Sequence, residues 1–203
     1  MFLSSTRDSV FEKHDSIDKG LFYFGTIDSD ISIYNSVFQE NTIRENGAAL
    51  RFESGVSNIN IKYLSFPNFN NNNNNNNTNN NNKRNCTFKK NSAAFGGGIS
   101  LYDTGGNLRL EDTLFDSNFA SSSGGAIRLT SYLLDYETPL DMEFGPNVIF
   151  RGNSAEQAGG AFYAFYGINT IPLSTRGPTV FEKFAFFSSF LILLFPFFFF
   201  FFF

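Results

Sequence analysis

Few residues of this 203-residue chain belong to the types that carry catalysis, and they are not grouped in a catalytic pattern. The single histidine, His14, has no second histidine with which to share a metal ion or complete a proton relay, so we interpret it as a turn residue. The single cysteine, Cys86, excludes an intramolecular disulfide and a cysteine-cluster metal site. The sequence therefore predicts no catalytic residue, no cofactor and no metal ligand, and we expect a protein that is not an enzyme.

Carboxylates remain as candidates, because enzymes that cleave acidic polysaccharides group several of them with Ca²⁺ or with an arginine base. The aspartates to consider are Asp103, Asp112, Asp116, Asp135 and Asp141. They have no repeated spacing that would bring them together. The best local group is Arg109 with Glu111 and Asp112, which predicts a solvated corner better than it predicts a site.

Phosphate and nucleic acid are disfavoured as ligands on sequence grounds. Gly96–Gly98 and Gly124–Gly125 are followed by neither a Lys-Ser/Thr pair nor a helix pattern, unlike phosphate-binding loops. The net charge is −4 and the sequence pI is about 5.0, so the chain has no basic footprint for nucleic acid.

A short repeat organises the chain instead. A phenylalanine is followed three residues later by asparagine, and eight or nine residues later by a glycine-rich stretch and an aliphatic or aromatic residue. The repeat positions are Phe38, Asn41, Gly47, Phe88, Asn91, Gly97, Gly98, Phe115, Asn118, Gly124, Gly125, Phe150, Asn153, Gly159 and Gly160. A repeat of this length indicates a stacked architecture.

The period of the repeat predicts the fold. Phe11 and Phe38 are 27 residues apart, as are Phe88 and Phe115, and each unit contains three short apolar segments. Units this short leave no room for helical crossovers, and parallel connections are nearly always right-handed. We therefore predict an all-β, right-handed parallel β-helix of about five coils that is a fragment of a longer array.

Each repeated residue type suits one place in such a coil. The phenylalanines are predicted to point inward and to stack between coils. The asparagines are predicted to occupy a left-handed corner after the strand and to bond to one another along the axis. The paired glycines are predicted to supply positive φ.

Composition divides the chain into residues 1–183, the predicted β-helix, and residues 184–203, a Phe-rich tail without charge. A further unit begins at Phe66 and runs into the asparagine-rich insert 68–82. The tail is either a membrane-spanning segment, for which twenty apolar residues suffice, or translated non-coding sequence at a mistaken gene boundary.

Asn76 and Asn85 are candidate N-glycosylation sites. The connection after Thr130 makes its repeat unit longer than the others, and it is rich in acidic and aromatic residues. An insertion of this kind is typical of a binding loop.

The paired motif resembles the repeats of polymorphic outer-membrane proteins, which are autotransporter-type surface adhesins on a right-handed β-helix of the pectin-lyase type. It is carried by Phe115, Asn118 and Gly124–Ile127, by Phe150, Asn153 and Gly159–Phe162, and by Phe88, Asn91 and Gly97–Ile99. The resemblance implies a surface or secreted segment with an adhesion or spacer role, for which a cell-surface glycan or a protein is the expected ligand. Residues 184–203 are the candidate membrane attachment because of their length and apolarity. The alternative is a β-helix that binds or cleaves polysaccharide. The start of the chain has no apolar signal region, so no signal peptide is predicted.

Overall fold

The computed structural model describes the chain as strands, turns and bends, with no helix among the described residues. Those residues are 5–17, 19–25, 30–44, 47, 49–53, 58–62, 86–131, 140–166, 173–175 and 179–182. All the strand pairings among them are parallel, and each strand pairs with the equivalent strand of the next turn of the chain. The predicted right-handed parallel β-helix is therefore confirmed, with five complete coils and the start of a sixth.

Four strands make up each complete coil. The first coil holds β1 (Ser5–Arg7), β2 (Val10–Glu12), β3 (Asp15–Ser16) and β4 (Phe22–Phe24), and the second holds β5 (Ile31–Tyr34), β6 (Val37–Gln39), β7 (Thr42–Ile43) and β8 (Leu50–Glu53). The third holds β9 (Asn58–Lys62), β10 (Cys86–Lys89), β11 (Ser92–Phe95) and β12 (Ile99–Tyr102), and the fourth holds β13 (Gly106–Leu110), β14 (Thr113–Asp116), β15 (Phe119–Ser123) and β16 (Ile127–Ser131). The fifth holds β17 (Leu140–Phe144), β18 (Val148–Arg151), β19 (Ser154–Ala155) and β20 (Phe162–Tyr166), and β21 (Leu173–Thr175) and β22 (Thr179–Glu182) begin the sixth.

Each coil contributes to four sheets, so the expectation of three strands per coil was wrong. Sheet A contains β1, β5, β9, β13, β17 and β21, and sheet B contains β2, β6, β10, β14, β18 and β22. Sheet C contains β3, β7, β11, β15 and β19, and sheet D contains β4, β8, β12, β16 and β20. The additional strands are those of sheet C, which follow the asparagine. Three of them, β3, β7 and β19, are only two residues long, too short to show an alternating pattern in the sequence.

The phenylalanines of the repeat form one stack inside sheet B. Successive ring centroids from Phe38 to Phe88, Phe115 and Phe150 are 5.0, 4.9 and 4.9 Å apart, with the ring planes within 9° of parallel. All four side chains are at most 1% exposed. Burial of each ring contributes about 2 kcal/mol, and together with the aliphatic residues of sheets A and D the stack forms a single elongated core.

The asparagines form a second stack, at the corner between sheets B and C. The Nδ2 of Asn41 donates to Oδ1 of Asn91 at 2.9 Å, Asn91 to Asn118 at 3.0 Å, and Asn118 to Asn153 at 2.9 Å. The left-handed corner, however, is one residue earlier than expected. At this corner the residues with positive φ are Lys13, Glu40, Lys90, Ser117 and Gly152, each immediately before the asparagine or, in the first coil, before His14. The asparagine side chains are thus fixed by the hydrogen bonds they make between coils.

The glycine corner between sheets C and D also differs by one residue in the third coil. The positive-φ glycines in one column are Gly47, Gly96, Gly124 and Gly159. Gly96, rather than Gly97, is therefore the equivalent of Gly124, and Gly98 takes the place of Ala126. The cause is a shift of strand register between Ala93 and Phe95, which absorbs the residue missing from this repeat.

The asparagine-rich stretch lies between the first two strands of the third coil. Phe38 stacks directly on Phe88, and β6 pairs with β10, so no phenylalanine rung separates them. The unit predicted to begin at Phe66 is therefore not a coil of its own: β9 and β10 belong to one coil, and residues 63–85 connect them. Residues 63–85 and 183–203, with the candidate glycosylation sites Asn76 and Asn85, lie outside the described residues.

Candidate functional site

The four corners of the coil differ in how strictly their length is kept. The corner that carries the asparagine stack has two residues between strands in all five described coils. The connection from sheet D to sheet A varies from three residues (103–105) to eight (132–139), and that from sheet A to sheet B varies from two (35–36) to twenty-three (63–85). Insertions in solenoids collect on the face that binds. The connection from sheet C to sheet D varies less, from three residues (96–98) to six (44–49). The two corners with the largest variation both border sheet A, which makes the outer face of sheet A the candidate site.

Polar side chains form this outer face. Ile31, Ile59, Leu108 and Met142 point into the core, so the residues that alternate with them point outward. The central outward column is Ser32, Asn60, Arg109 and Glu143. Hydroxyl, amide and charged groups therefore follow one another at the strand spacing of about 4.8 Å along the axis.

A second polar column lies beside it, at the edge near sheet D. Asn58 Nδ2 donates to Asp30 Oδ1 at 2.6 Å, and Asn107 Nδ2 donates to Asn58 Oδ1 at 3.0 Å. Asp141 follows Asn107 in the same register. Unlike the buried asparagine stack, these hydrogen bonds are on the surface, where the remaining lone pairs and N–H groups are open to a ligand.

Arg109 lies at the centre of the sheet A face and is already held by two carboxylates. Its Nε donates to Glu111 Oε1 at 2.9 Å, Nη2 also contacts that oxygen, and Glu143 Oε1 is 3.8 Å away. The hydrogen bond that Arg109 donates to Glu111 is the main reason that the pKa of Arg109 is raised above its ordinary value, with the charges of Glu111 and Glu143 acting in the same direction. Arg109 therefore places a guanidinium charge at the centre of this face, with two carboxylates beside it.

The aspartates considered from the sequence are distributed over different parts of the coil. Asp103 is at the corner between sheets D and A, Asp112 is at the corner between sheets A and B, Asp116 is in sheet B, and Asp141 is in sheet A. Asp135 lies outside the described residues. Asp112 accepts a 2.7 Å hydrogen bond from Asn147, the equivalent corner residue of the next coil. Among the described residues, no three acidic, histidine or cysteine side chains are placed to hold a metal ion.

The single histidine and the single cysteine each occupy a defined position in the coil. The backbone N–H of His14 donates to Asn41 Oδ1 at 3.1 Å, so His14 occupies the asparagine position of the first coil while its side chain is exposed. Cys86 is buried, and its Sγ is 3.6 Å from the carbonyl oxygen of Ile33.

The two polar columns on sheet A were not predicted from the sequence. Their signal, polar residues alternating with Ile31–Ile33, Ile59–Ile61 and Leu108–Leu110, was present in the sequence.

Comparison with known proteins matches two segments of the chain to one repeat family. The model for the Chlamydia polymorphic membrane protein repeat matches residues 112–130 and 147–164. Each match covers the same part of a coil, from the strand of sheet B through the asparagine and glycine corners to sheet D. No curated protein and no solved structure matches the chain. Among the described residues, there is no helix with the length and apolarity needed to cross a membrane. Two adjacent coils of the parallel β-helix thus contain segments that are similar to the Chlamydia polymorphic membrane protein repeat.

Proposed function

We propose that this chain is a non-enzymatic β-helix segment of a surface protein, with a role in adhesion or as a rigid spacer. The repeat that it carries is named for membrane proteins, which supports a location at a membrane or cell surface. The apolar residues 184–203 would supply membrane attachment. The ligand in this proposal is a cell-surface glycan or protein that contacts the outer face of sheet A.

One observation carries the assignment to sheet A: chain length varies most at its two corners. The corner between sheets C and D varies only from three to six residues, and the asparagine corner keeps two residues in each of the five described coils. Surface connections tolerate changes in length, and those that border sheet A lie outside the buried phenylalanine and asparagine stacks. The buried asparagine and phenylalanine stacks hold the remainder of the coil, so that sheet A is a rigid platform between adaptable connections.

Polysaccharide binding is the second candidate function, and the surface column of Asp30, Asn58 and Asn107 favours it. Planar amide and carboxylate groups offer paired donors and acceptors that suit sugar hydroxyl groups. Cleavage is disfavoured in this proposal, because Arg109 is the one arginine of the central column and its pKa is raised. A lyase that uses an arginine base requires the opposite shift.

The proposal can be tested with beads coated with the full chain, measured for retention on cultured cells and on a glycan array. Asn107→Arg places a bulky cation in the polar column at the edge of the sheet A face, and Ser121→Arg introduces the same side chain at an exposed position of sheet C. We expect Asn107→Arg to abolish retention and Ser121→Arg to preserve it. Equal retention by both variants would contradict the assignment to sheet A.

Activity is tested separately. Incubation with oligogalacturonate, followed by ultraviolet absorbance of unsaturated sugars, is expected to show no product. Product formation that depends on Arg109 would replace the adhesion proposal with the enzymatic one.

A further inference from the structure

The outer face of sheet D carries a column of arginine, tyrosine and serine side chains that the sheet A proposal does not use. Ile99, Leu101, Ile127 and Leu129 point into the core, so the residues that alternate with them point outward. The outward column is Tyr23, Arg51, Ser100, Arg128 and Tyr163, in register from the first coil to the fifth. Four strand intervals extend it over about 19 Å.

The arginines of this column lie against aromatic rings. The guanidinium carbon of Arg51 is 5.6 Å from the centroid of the Tyr23 ring, and that of Arg128 is 4.1 Å from the centroid of the Phe95 ring. Lys19 Nζ is 4.7 Å from the centroid of the Tyr23 ring. A ring beneath a guanidinium restricts its orientation, and the planar fork of arginine binds carboxylates and similar oxyanions through paired hydrogen bonds.

This face has an excess of positive charge, although the chain as a whole has a net charge of −4. The described outward residues of sheet D, together with Lys19, include three cations and one carboxylate, which belongs to Glu53. On the sheet A face, by contrast, Arg109 is held between two carboxylates. An anionic ligand is therefore attracted to sheet D and is not attracted to sheet A.

Three hydroxyl groups on this side of the coil have no hydrogen-bond partner among the described residues. They belong to Ser100, Thr104 and Thr130, each at most 1% exposed. Ser100 and Thr130 point outward from sheet D, and Thr104 lies at its edge, in the connection to sheet A. A buried hydroxyl without a partner is destabilising, and native proteins keep few of them. Their grouping here indicates a surface that a hydrogen-bonding ligand completes.

We infer that the outer face of sheet D binds an acidic glycan, a chain of sugars that carry carboxylate or sulfate groups. Arg51 and Arg128 bind its anionic groups, and Ser100, which lies between them, donates a hydrogen bond to a bound anionic group. Tyr23 and Tyr163, at the two ends of the column, pack against the faces of sugar rings. Binding requires the arginine side chains to rotate, and Arg51 then exchanges its 3.3 Å ion pair with Glu53 for the ligand.

An acidic glycan suits this face better than nucleic acid, the other common polyanion. Nucleic-acid sites neutralise many phosphates with an extended basic surface, whereas this column has two arginines and its chain is acidic. The other polar groups of the face are mainly hydroxyls of serine, threonine and tyrosine, which pair with sugar hydroxyls. Its exposed rings, Tyr23 at 40% and Phe165 at 45%, lie at opposite ends of the sheet.

Isothermal titration of the full chain in mild detergent with a heparin oligosaccharide measures this binding. Arg51→Gln is expected to weaken it at least tenfold. Arg151→Gln removes the same charge from sheet B and is expected to leave the affinity unchanged. Equal losses in the two variants, or a neutral dextran oligosaccharide that binds as tightly as heparin, would overturn the inference. Desulfated heparin identifies the bound group, because retained affinity assigns the carboxylates and lost affinity assigns the sulfates.

The two proposed faces are separated by the same titration. Asn107→Arg, the variant that tests sheet A, is expected to bind heparin at least as tightly as the wild type. A loss of heparin binding in Asn107→Arg would place the acidic glycan on sheet A and overturn the sheet D site. Loss of cell retention by Asn107→Arg with unchanged heparin binding would support both faces.

The serine hydroxyl provides a test that a purely structural role would fail. Ser100 Oγ has no partner among the described residues, so Ser100→Ala is expected to unfold at the same or a higher temperature, yet to bind heparin about tenfold more weakly. Ser36→Ala is the matched control, because Ser36 is also buried but its Oγ donates to the carbonyl oxygen of Tyr34 at 2.8 Å. The control is expected to unfold at a lower temperature and to keep its affinity. A Ser100→Ala variant with unchanged affinity would overturn the site, as would displacement of heparin by a single-stranded oligothymidylate.

Discussion

Replacing Asn118 by aspartate should destabilise the coil stack and make its stability depend on pH. Asn118 is 1% exposed, and its Nδ2 donates to the carbonyl oxygen of Phe88 and to Oδ1 of Asn153, each at 2.9 Å. Its Oδ1 accepts from the backbone N–H and from Nδ2 of Asn91, each at 3.0 Å. Aspartate keeps the oxygen that accepts these bonds, but it replaces the donating Nδ2 with a second oxygen. That oxygen would face the carbonyl oxygen of Phe88 and Oδ1 of Asn153.

The magnitude follows from these contacts. Two buried acceptors lose their donor, at about 1–3 kcal/mol each, and a charge is left without a cation in the core. We expect a loss of about 3–5 kcal/mol in the free energy of unfolding at pH 7. Burial and the facing oxygens raise the pKa of the introduced carboxyl above its unfolded value of about 3.9. The deficit is therefore smallest below that unfolded value and grows as the pH rises through the folded value, because the protonated carboxyl can donate to one acceptor.

Urea titration followed by circular dichroism at several pH values measures this effect. Asn107→Asp is the matched control, since Asn107 makes an equivalent hydrogen bond between coils at an exposed position. The control is expected to lose less than about 1 kcal/mol and to show little dependence on pH. If Asn118→Asp were as mild as the control, the asparagine stack would not be the buried element described above.

Three further substitutions test other parts of the coil. Phe115→Ala removes a ring that stacks 4.9 Å from each neighbouring ring and should cost about 3–5 kcal/mol in denaturant titration. Gly125→Val should unfold the chain, because a Cβ at Gly125 would be 2.0 Å from a backbone oxygen of the next coil, whereas Ser122→Val should leave it folded. Thermal unfolding of the two variants compares their stabilities. Arg151→Gln should raise the pKa of Asp116, because it removes the guanidinium that lowers this pKa; carboxyl NMR titration measures the change. The stability that the ionised Asp116 contributes at neutral pH should then be lost at a higher pH during acidification than in the wild type.

The long-range order of the fold could be predicted because the repeat marks the residues that stack. A phenylalanine that recurs with an asparagine three residues later identifies the two buried columns, and the period excludes helical crossovers. The strands of sheet C were missed because three of the five, β3, β7 and β19, have two residues each, which leaves no alternation to detect.

Two errors came from reading spacing without register. Phe66 is 28 residues after Phe38, close to the period, yet Phe88 is the next ring in the stack. The glycines of the third coil were aligned one residue late, because the compensating bulge beside Ala94 has no sequence signature. Both errors concern insertions and deletions, which periodicity alone cannot place.

The surfaces were harder to predict than the core. The polar columns of sheet A depend on which residues of different coils lie side by side, and that follows only once the register is known. The column on sheet D had a partial signal, an arginine between two apolar residues at Leu50–Phe52 and at Ile127–Leu129. Its serine and tyrosines join these arginines only through the pairing of strands from different coils.

Continuous stacking across the asparagine-rich stretch is the central claim, since both surfaces depend on it. Spin labels at Glu12→Cys and Arg151→Cys, in a Cys86→Ser background, report it by dipolar spectroscopy. Positions 12, 39, 89, 116 and 151 are consecutive in one column, so the labels are four coils apart. The stacking predicts a backbone separation of about 19 Å, four intervals of about 4.8 Å. A separation of about 24 Å would show an additional coil between Phe38 and Phe88, and a broad distribution would show that the coils do not stack.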